Sequence, residues 1–168
     1  MAGRLADFQR FADYNAWANA RLYDAVATLS PEAQRAEWPA DFFQSILGTL
    51  NHLLVADRIW LDRFQHLPPV HGRLDERVHD DLDALRAARV AEDARIRRFV
   101  DGLAEADLDA ALAYKTSRGS PQSNPLGALL GHFFNHQTHH RGQVHALIHE
   151  AGVAPPPLDL IYYMRETG

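Results

Sequence analysis

Residues 133–145 read FFNHQTHHRGQVH and contain four of the chain's ten histidines. On an α-helix each residue advances by about 100°, so His132, His136 and His140 share one ridge and His139 lies beside it. Two imidazoles four residues apart lie one helical turn apart and can bind the same metal ion. The spacing also fits a proton-handling site or a helix face that is simply rich in polar histidines, and it leaves all three interpretations open.

The sequence around this ridge predicts a bundle of helices. Ser123 or Asn124 is suited to cap the His-rich helix, Pro125 to occupy its first position, and Gly152 to end it. Apolar residues at three- and four-residue steps predict further helices at 5–29, 46–65, 80–103 and, more briefly, 158–166. The connections are an extra turn within 32–42, an extended segment at 111–116 and a loop at 117–125. We therefore predict an all-α four-helix bundle with a short C-terminal helix, in a single domain over residues 1–168.

Composition narrows the possible functions. The chain is 46% hydrophobic and 23% charged, an ordinary globular balance. Its formal net charge of −5 argues against nucleic-acid binding through phosphate contacts. It has no cysteine, which excludes thiolate metal ligands and a cysteine nucleophile. No signal peptide or apolar membrane span is visible, so we expect a soluble cytoplasmic protein without membrane or nucleic-acid partners.

A metal site on the His-rich helix needs a ligand from another helix, and His52 is the candidate. It lies within LNHLL, residues 50–54, where an unpaired imidazole has to be neutral and hydrogen-bonded. The helix at 46–65 is apolar on two sides, which indicates deep burial or an interface. Spacing alone, however, does not join His52 to His136.

Several segments together resemble the DinB-like, YfiT-related family of four-helix proteins. The segment NHQTHHRGQ at 135–143 is similar to the family's H-x-x-x-H-R-G-Q signature. YNAWAN at 14–19 resembles the first helix, NH at 51–52 the second, and DLIYYMRE at 159–166 the usual ending. The resemblance implies an up-down-down-up bundle with a divalent metal ion held by His52, His136 and His140. It also implies a homodimer.

Family members with assigned activity look like S-transferases that use a low-molecular-weight thiol as co-substrate. Three neutral imidazoles would leave coordination positions open on a metal ion, which is typical of a catalytic site. Such an ion turns a bound thiol or water into a nucleophile near neutral pH. Zn²⁺ and Ni²⁺ both suit imidazole ligands. We expect a thiol S-transferase acting on a small molecule; the alternatives are a metal-dependent hydrolase and a non-catalytic metal-binding stress-response protein.

Other residues carry weaker expectations. Asp57 could orient a ligand histidine, although a buried pair with an arginine or with a polar group of the first helix is favoured. His132 and His139 are candidates for contact with substrate or with the ligands. Arg141 is expected in a salt bridge and Gln143 in a hydrogen bond between helices. A solvated helix face is expected for the arginines at 86, 89, 95, 97 and 98.

Overall fold

The computed structural model describes residues 3–38 and 43–168, and it is mostly helical. The helices are α1 (Arg4–Ala27), α2 (Pro31–Arg35), α3 (Ile46–Phe64), α4 (Leu82–Asp101), α5 (Leu126–Glu150) and α6 (Leu160–Thr167). A 3-10 helix at Glu105–Asp109 precedes a hairpin of β1 (Ala111–Lys115) and β2 (Pro121–Pro125). The predicted extra turn corresponds to α2, and residues 39–42 of the predicted connection lie outside the described residues.

The four long helices form an up-down-down-up bundle in which α1 and α3 both pack against α4 and α5. Contacts between side chains of different helices show which helices run parallel and which antiparallel. Pairs that mark antiparallel packing are Arg86–Asp24 and Arg97–Asp13 for α1 with α4, and His52–His140 and Phe64–Phe133 for α3 with α5. Pairs that mark parallel packing are Phe8–Phe134 and Asn15–Arg141 for α1 with α5, and Asp57–Arg89 and Asp62–Arg95 for α3 with α4.

The buried interior consists of two apolar clusters with a polar layer between them. One cluster holds Leu22, Leu50, Leu85 and Ile148, and the other is built around Phe133. The buried polar side chains of the layer are Asn15, Asn19, Asp57, Arg89, Asp93, Gln137 and Arg141. Each long helix contributes to both clusters and to this layer, so the helices bury polar groups at mid-height.

α3 begins and packs as the sequence predicts. The hydroxyl of Ser45 accepts a hydrogen bond from the Gly48 amide at 3.0 Å and caps the helix. All residues from Ile46 to Asp57 are buried, as expected for a helix that is apolar on two sides. His52 therefore lies in the fully buried part of α3.

The predicted loop at 117–125 and the predicted N-terminus of the His-rich helix are partly wrong. Residues 121–125 pair with 111–115 in an antiparallel hairpin. Ser123 and Asn124 lie in β2 and do not cap α5, which begins at Leu126 without a side-chain cap. The amide of Leu126 instead donates to the carbonyl of Ala110 at 2.9 Å, so backbone pairing replaces the cap. At the other end, Gly152 has φ +84° and ends the helix as predicted.

The predicted C-terminal helix is confirmed as α6, which packs against α1. Trp17 donates through Nε1 to Glu166 at 3.0 Å, and Tyr14 donates to the carbonyl of Leu158 at 2.7 Å. Across residues 3–38 and 43–168, no helix is both long and apolar enough to cross a membrane.

Candidate metal centre

Three histidines from α3 and α5 converge beside the polar layer. The Nε2 atom of His52 lies 3.2 Å from that of His140 and 3.4 Å from that of His136. The Nε2 atoms of His136 and His140 are 3.1 Å apart. His136 and His140 come from one face of α5 because they are four residues apart, and antiparallel packing brings His52 opposite them. This arrangement joins the three histidines that spacing alone could not connect.

The separations between these nitrogens fit three ligands of one metal ion. Zinc–imidazole bonds of about 2.0–2.1 Å with tetrahedral angles place two ligand nitrogens about 3.3–3.4 Å apart. Adjacent positions of an octahedral ion with similar bonds place them about 3.0 Å apart. The observed range of 3.1–3.4 Å spans both geometries. A metal ion therefore fits between the nitrogens without a large movement of any helix.

The opposite nitrogens of two rings are bonded in the way that metal ligands require. Nδ1 of His52 lies 2.8 Å from the carbonyl oxygen of Leu74, and Nδ1 of His140 lies 2.6 Å from Oε1 of Gln143. Both oxygens can only accept, so both Nδ1 atoms carry the proton. That tautomer leaves a lone pair on each Nε2, pointing into the cluster.

Burial keeps His136 neutral. His52 and His140 are 3% and 8% exposed, and His136 is half-buried. Burial, reinforced by His140 and His52, lowers the pKa of His136 to about 3, far below its ordinary value of 6.5. Phe43 stacks on His52 with ring centroids 3.8 Å apart, which covers one face of that imidazole. His136 is therefore unprotonated and able to bind a metal ion at neutral pH.

A cavity of about 800 Å³ opens next to the cluster. His136 forms part of its wall, together with His132, Trp60, Tyr114 and Arg63. The volume lies within the range of about 300–1,000 Å³ typical of small-molecule sites. An ion held by His136 would thus lie beside a space large enough for a small molecule.

Of the two further histidine candidates, only His132 borders this cavity. It is exposed, and its ring lies between Trp60 and His136, with centroid distances of 5.1 and 5.9 Å. His139 is also exposed, and its ring meets the edge of the His140 ring at 4.8 Å. His132 therefore borders the cavity, whereas His139 is placed only against the ring of His140.

Asp57 lies in the buried polar layer, where the favoured pairing with an arginine is confirmed. Its carboxylate accepts from Arg89 at 2.6 Å and also from Gln137. Burial raises the pKa of Asp57 to about 7, against the attraction of Arg89. Asp57 is not the group that orients the histidines, because the Nδ1 atoms of His52 and His140 are bonded to Leu74 and Gln143.

Three weaker expectations are wrong. Gln143 bonds to His140 within α5, and its Oε1 makes no bond to another helix among the described residues. The guanidinium of Arg141 donates to the amide oxygen of Asn15 and to Thr138, so amide and hydroxyl groups replace the expected carboxylate. Arg89 is only 2% exposed, because it is the cation between Asp57 and Asp93 and not part of a solvated face.

Sequence reasoning also missed the groups that orient His52 and His140. The three-residue step from His140 to Gln143 was available as a signal, since such neighbours meet on a helix. Leu74 acts through its backbone carbonyl, and Phe43 acts through ring stacking. Neither of these two contacts has a signature in the sequence.

Comparisons with known proteins agree with this fold. Residues 3–168 match the model of the DinB family. The protein named DinB from Bacillus subtilis (strain 168) is 27% identical over 169 residues, covering 97% of each chain.

Two crystal structures of DinB-like proteins share the fold at low sequence identity. One, from Bacillus cereus ATCC 10987, superposes with a TM-score of 0.65 at 19% identity, over 88% of this chain and 94% of that one. The other, YjoA from Bacillus subtilis, gives a TM-score of 0.63 at 17% identity, over 88% and 95%. The family match over almost the whole length identifies the chain as a member of the DinB family.

Proposed function

We propose that His52, His136 and His140 bind one divalent metal ion, Zn²⁺ or Ni²⁺, and that the protein is a thiol S-transferase. A low-molecular-weight thiol would be the co-substrate, and a small electrophilic molecule would accept the sulfur. The observation that carries the proposal is the convergence of three Nε2 atoms, 3.1–3.4 Å apart, beside a cavity of about 800 Å³.

The chemistry follows from three neutral ligands. A bound divalent ion keeps its full charge there, and it would lower the pKa of a thiol so that a thiolate is available near neutral pH. Among the described residues, the cluster that could hold an ion contains three histidines and no carboxylate. Positions that protein groups do not fill remain available for a small molecule.

The chain's own residues supply orientation and a route for the proton. Leu74 and Gln143 fix the tautomers of His52 and His140 through Nδ1, so the lone pairs of Nε2 stay directed at the place where an ion would bind. His132 borders the cavity one turn from His136, and its imidazole can accept the proton that the thiol loses and release it to solvent. The thiolate sulfur then forms a bond to the electrophile, and the electron pair of the broken bond moves to the leaving group.

An assay of the metal-loaded protein tests this function. The wild type is incubated with a thiol, such as glutathione or cysteine, and an electrophile that reports conjugation by absorbance. We expect conjugation above the uncatalysed rate in the wild type and in His149→Ala, which alters an exposed histidine of α5. His52→Ala should lose it. Hydrolysis of esters without thiol consumption would favour the hydrolase, and metal binding without either reaction would favour a non-catalytic role.

The homodimer that the family resemblance implies is part of the same proposal. Light scattering on the purified chain tests it by giving the mass in solution, for comparison with the 18.9 kDa of one copy. A mass of one copy at all concentrations would contradict it.

A further inference from the structure

We propose that Arg63 is the anion-binding residue of the cavity beside the histidine cluster, and that it selects a ligand bearing a carboxylate. This inference deepens the proposed function. It rests on that function for one point, namely that the ligand is the thiol or the electrophile. It assigns the part of the cavity away from His136 to the recognition of an acidic head group.

Arg63 is held on the cavity wall by aromatic rings. Its guanidinium carbon lies 4.6 Å from the ring centroid of Trp60 and 5.4 Å from that of Tyr114. The two rings lie 5.4 Å apart and come from α3 and β1. Cation–π contacts with both rings restrict the long side chain, so little further freedom is lost when a ligand binds.

No carboxylate of residues 3–38 and 43–168 forms a salt bridge with this cation. Among residues 3–38 and 43–168, Arg63 takes part in no salt bridge and its side chain donates no hydrogen bond to another residue. Its neighbour Asp62 also borders the cavity, but that carboxylate is bound by Arg95 at 2.7 Å. Burial lowers the pKa of Arg63 below its ordinary value, which reflects the cost of holding the charge there. Aromatic rings offer no hydrogen-bond acceptor in the plane of the guanidinium, so its N–H donors are available to a ligand.

The other charged groups on the cavity wall add to the positive charge of Arg63. Lys115 is a second cation on that wall, whereas the negative charge of Asp62 is offset by Arg95. A local excess of positive charge in a chain of net charge −5 favours an anionic ligand. One guanidinium matches the planar, singly charged carboxylate, which it can bind through two parallel hydrogen bonds.

The position of Arg63 relative to the histidine cluster suggests how one molecule would lie. A continuous wall leads from His136 to His132, to Trp60 and then to Arg63, in steps of 5.9, 5.1 and 4.6 Å between groups. A flexible molecule with a carboxylate at one end can therefore contact Arg63 while its other end reaches His136. The helix dipole also favours a basic residue in the last turn of α3, but it does not account for the position between two cavity rings.

Calorimetry with matched probes tests the proposal. Mercaptooctanoate and mercaptooctanol differ only in the terminal group, and both are titrated into zinc-loaded protein. We expect the acid to bind on the order of ten- to a hundredfold more tightly than the alcohol in the wild type, as for a charge-assisted hydrogen bond. Arg63→Gln should remove this preference. Arg98→Gln, an exposed arginine on α4, should keep it.

Two further measurements separate this proposal from the proposed function. Octanoate and octanol are titrated into metal-free protein, where a preference that depends on Arg63 supports the anion site even if no metal binds. Arg63→Lys keeps the charge and controls for folding; it should bind the acid more weakly than wild type and more tightly than Arg63→Gln. An acid that binds no more tightly than the alcohol in the wild type, or a preference that survives Arg63→Gln, would overturn the proposal.

Discussion

The ring of His52 is fixed by the backbone of a loop: its Nδ1 atom donates to the carbonyl oxygen of Leu74 across 2.8 Å. The contact joins the centre of α3 to the segment between α3 and α4, and it sets the tautomer that exposes Nε2 to the other two histidines. His140 obtains the same result from a side chain, Gln143, at 2.6 Å. The two arrangements predict different responses to mutation, because only the second can be removed by a single side-chain substitution.

Gln143→Leu is expected to weaken metal binding by about 10- to 100-fold, as is typical when the hydrogen-bond partner of a ligand is lost. The substitution leaves all three ligands in place, but the His140 ring loses the acceptor that fixes its orientation. Competition with a chromogenic chelator measures the affinity. Gln122→Leu, at an exposed position of β2, is the control. Equal affinities in the two variants would show that Gln143 does not orient the ligand.

The buried pair of Asp57 and Arg89 is expected to stabilise the bundle through its hydrogen bonds. Asp57→Ala leaves Arg89 paired only with Asp93 and removes the acceptor of Gln137, and such a loss costs about 1–3 kcal/mol of unfolding free energy. Urea denaturation of the metal-free protein measures this cost. Asp75→Ala, which breaks an exposed pair with Arg73, should leave the midpoint unchanged. A loss from Asp57→Ala no larger than that from Asp75→Ala would contradict the account.

Replacing Gly48 and Gly131 by alanine is expected to change the free energy of unfolding in opposite directions. A Cβ at Gly48 would collide with the carbonyl oxygen of Phe43, the residue whose ring stacks on His52. Gly48→Ala should therefore cost about 1–3 kcal/mol of unfolding free energy. Gly131 lies within α5 with open space around it, so Gly131→Ala should add about 0.5–1 kcal/mol. Thermal unfolding of both variants checks the signs, and a stabilised Gly48→Ala would refute the close approach.

The metal-free protein should lose stability as the pH falls below about 6.5, through the contribution of His136. Its pKa is about 3 in the folded state and 6.5 ordinarily, so the unfolded chain takes up a proton first on acidification. The contribution is present above pH 6.5 and is lost progressively towards pH 3. Asp57 contributes with the opposite sign, because its pKa is raised, so the comparison must be between wild type and His136→Gln. Parallel pH profiles for the two proteins would contradict the assignment.

The spacing of residues along the sequence was sufficient to predict the helices and one part of the site. Steps of three and four residues predicted the four long helices within a few residues, and they placed His136 and His140 on one ridge. Local patterns failed where a tertiary contact replaced a local one. Ser123 is a good capping residue by type, but the pairing of β2 with β1 uses that segment, and the amide of Leu126 bonds to Ala110 instead.

The buried charges show a second limit of sequence reasoning. Arg89 has the same local context as exposed arginines of α4, and its burial depends on Asp57 and Asp93 being brought to the same level of the bundle. The position of His52 depends in the same way on how α3 packs against α5. Such facts belong to the packing of helices, which spacing within one helix does not specify.

The central claim is that three histidines share one metal ion, and metal content tests it most directly. Protein purified without an affinity tag and reconstituted with Zn²⁺ or Ni²⁺ is dialysed and submitted to elemental analysis with His52→Ala, His136→Ala and His149→Ala. We expect about one equivalent of metal in the wild type and in His149→Ala, and almost none in the other two variants. Full retention in His52→Ala, or no metal in the wild type, would contradict a site shared between α3 and α5.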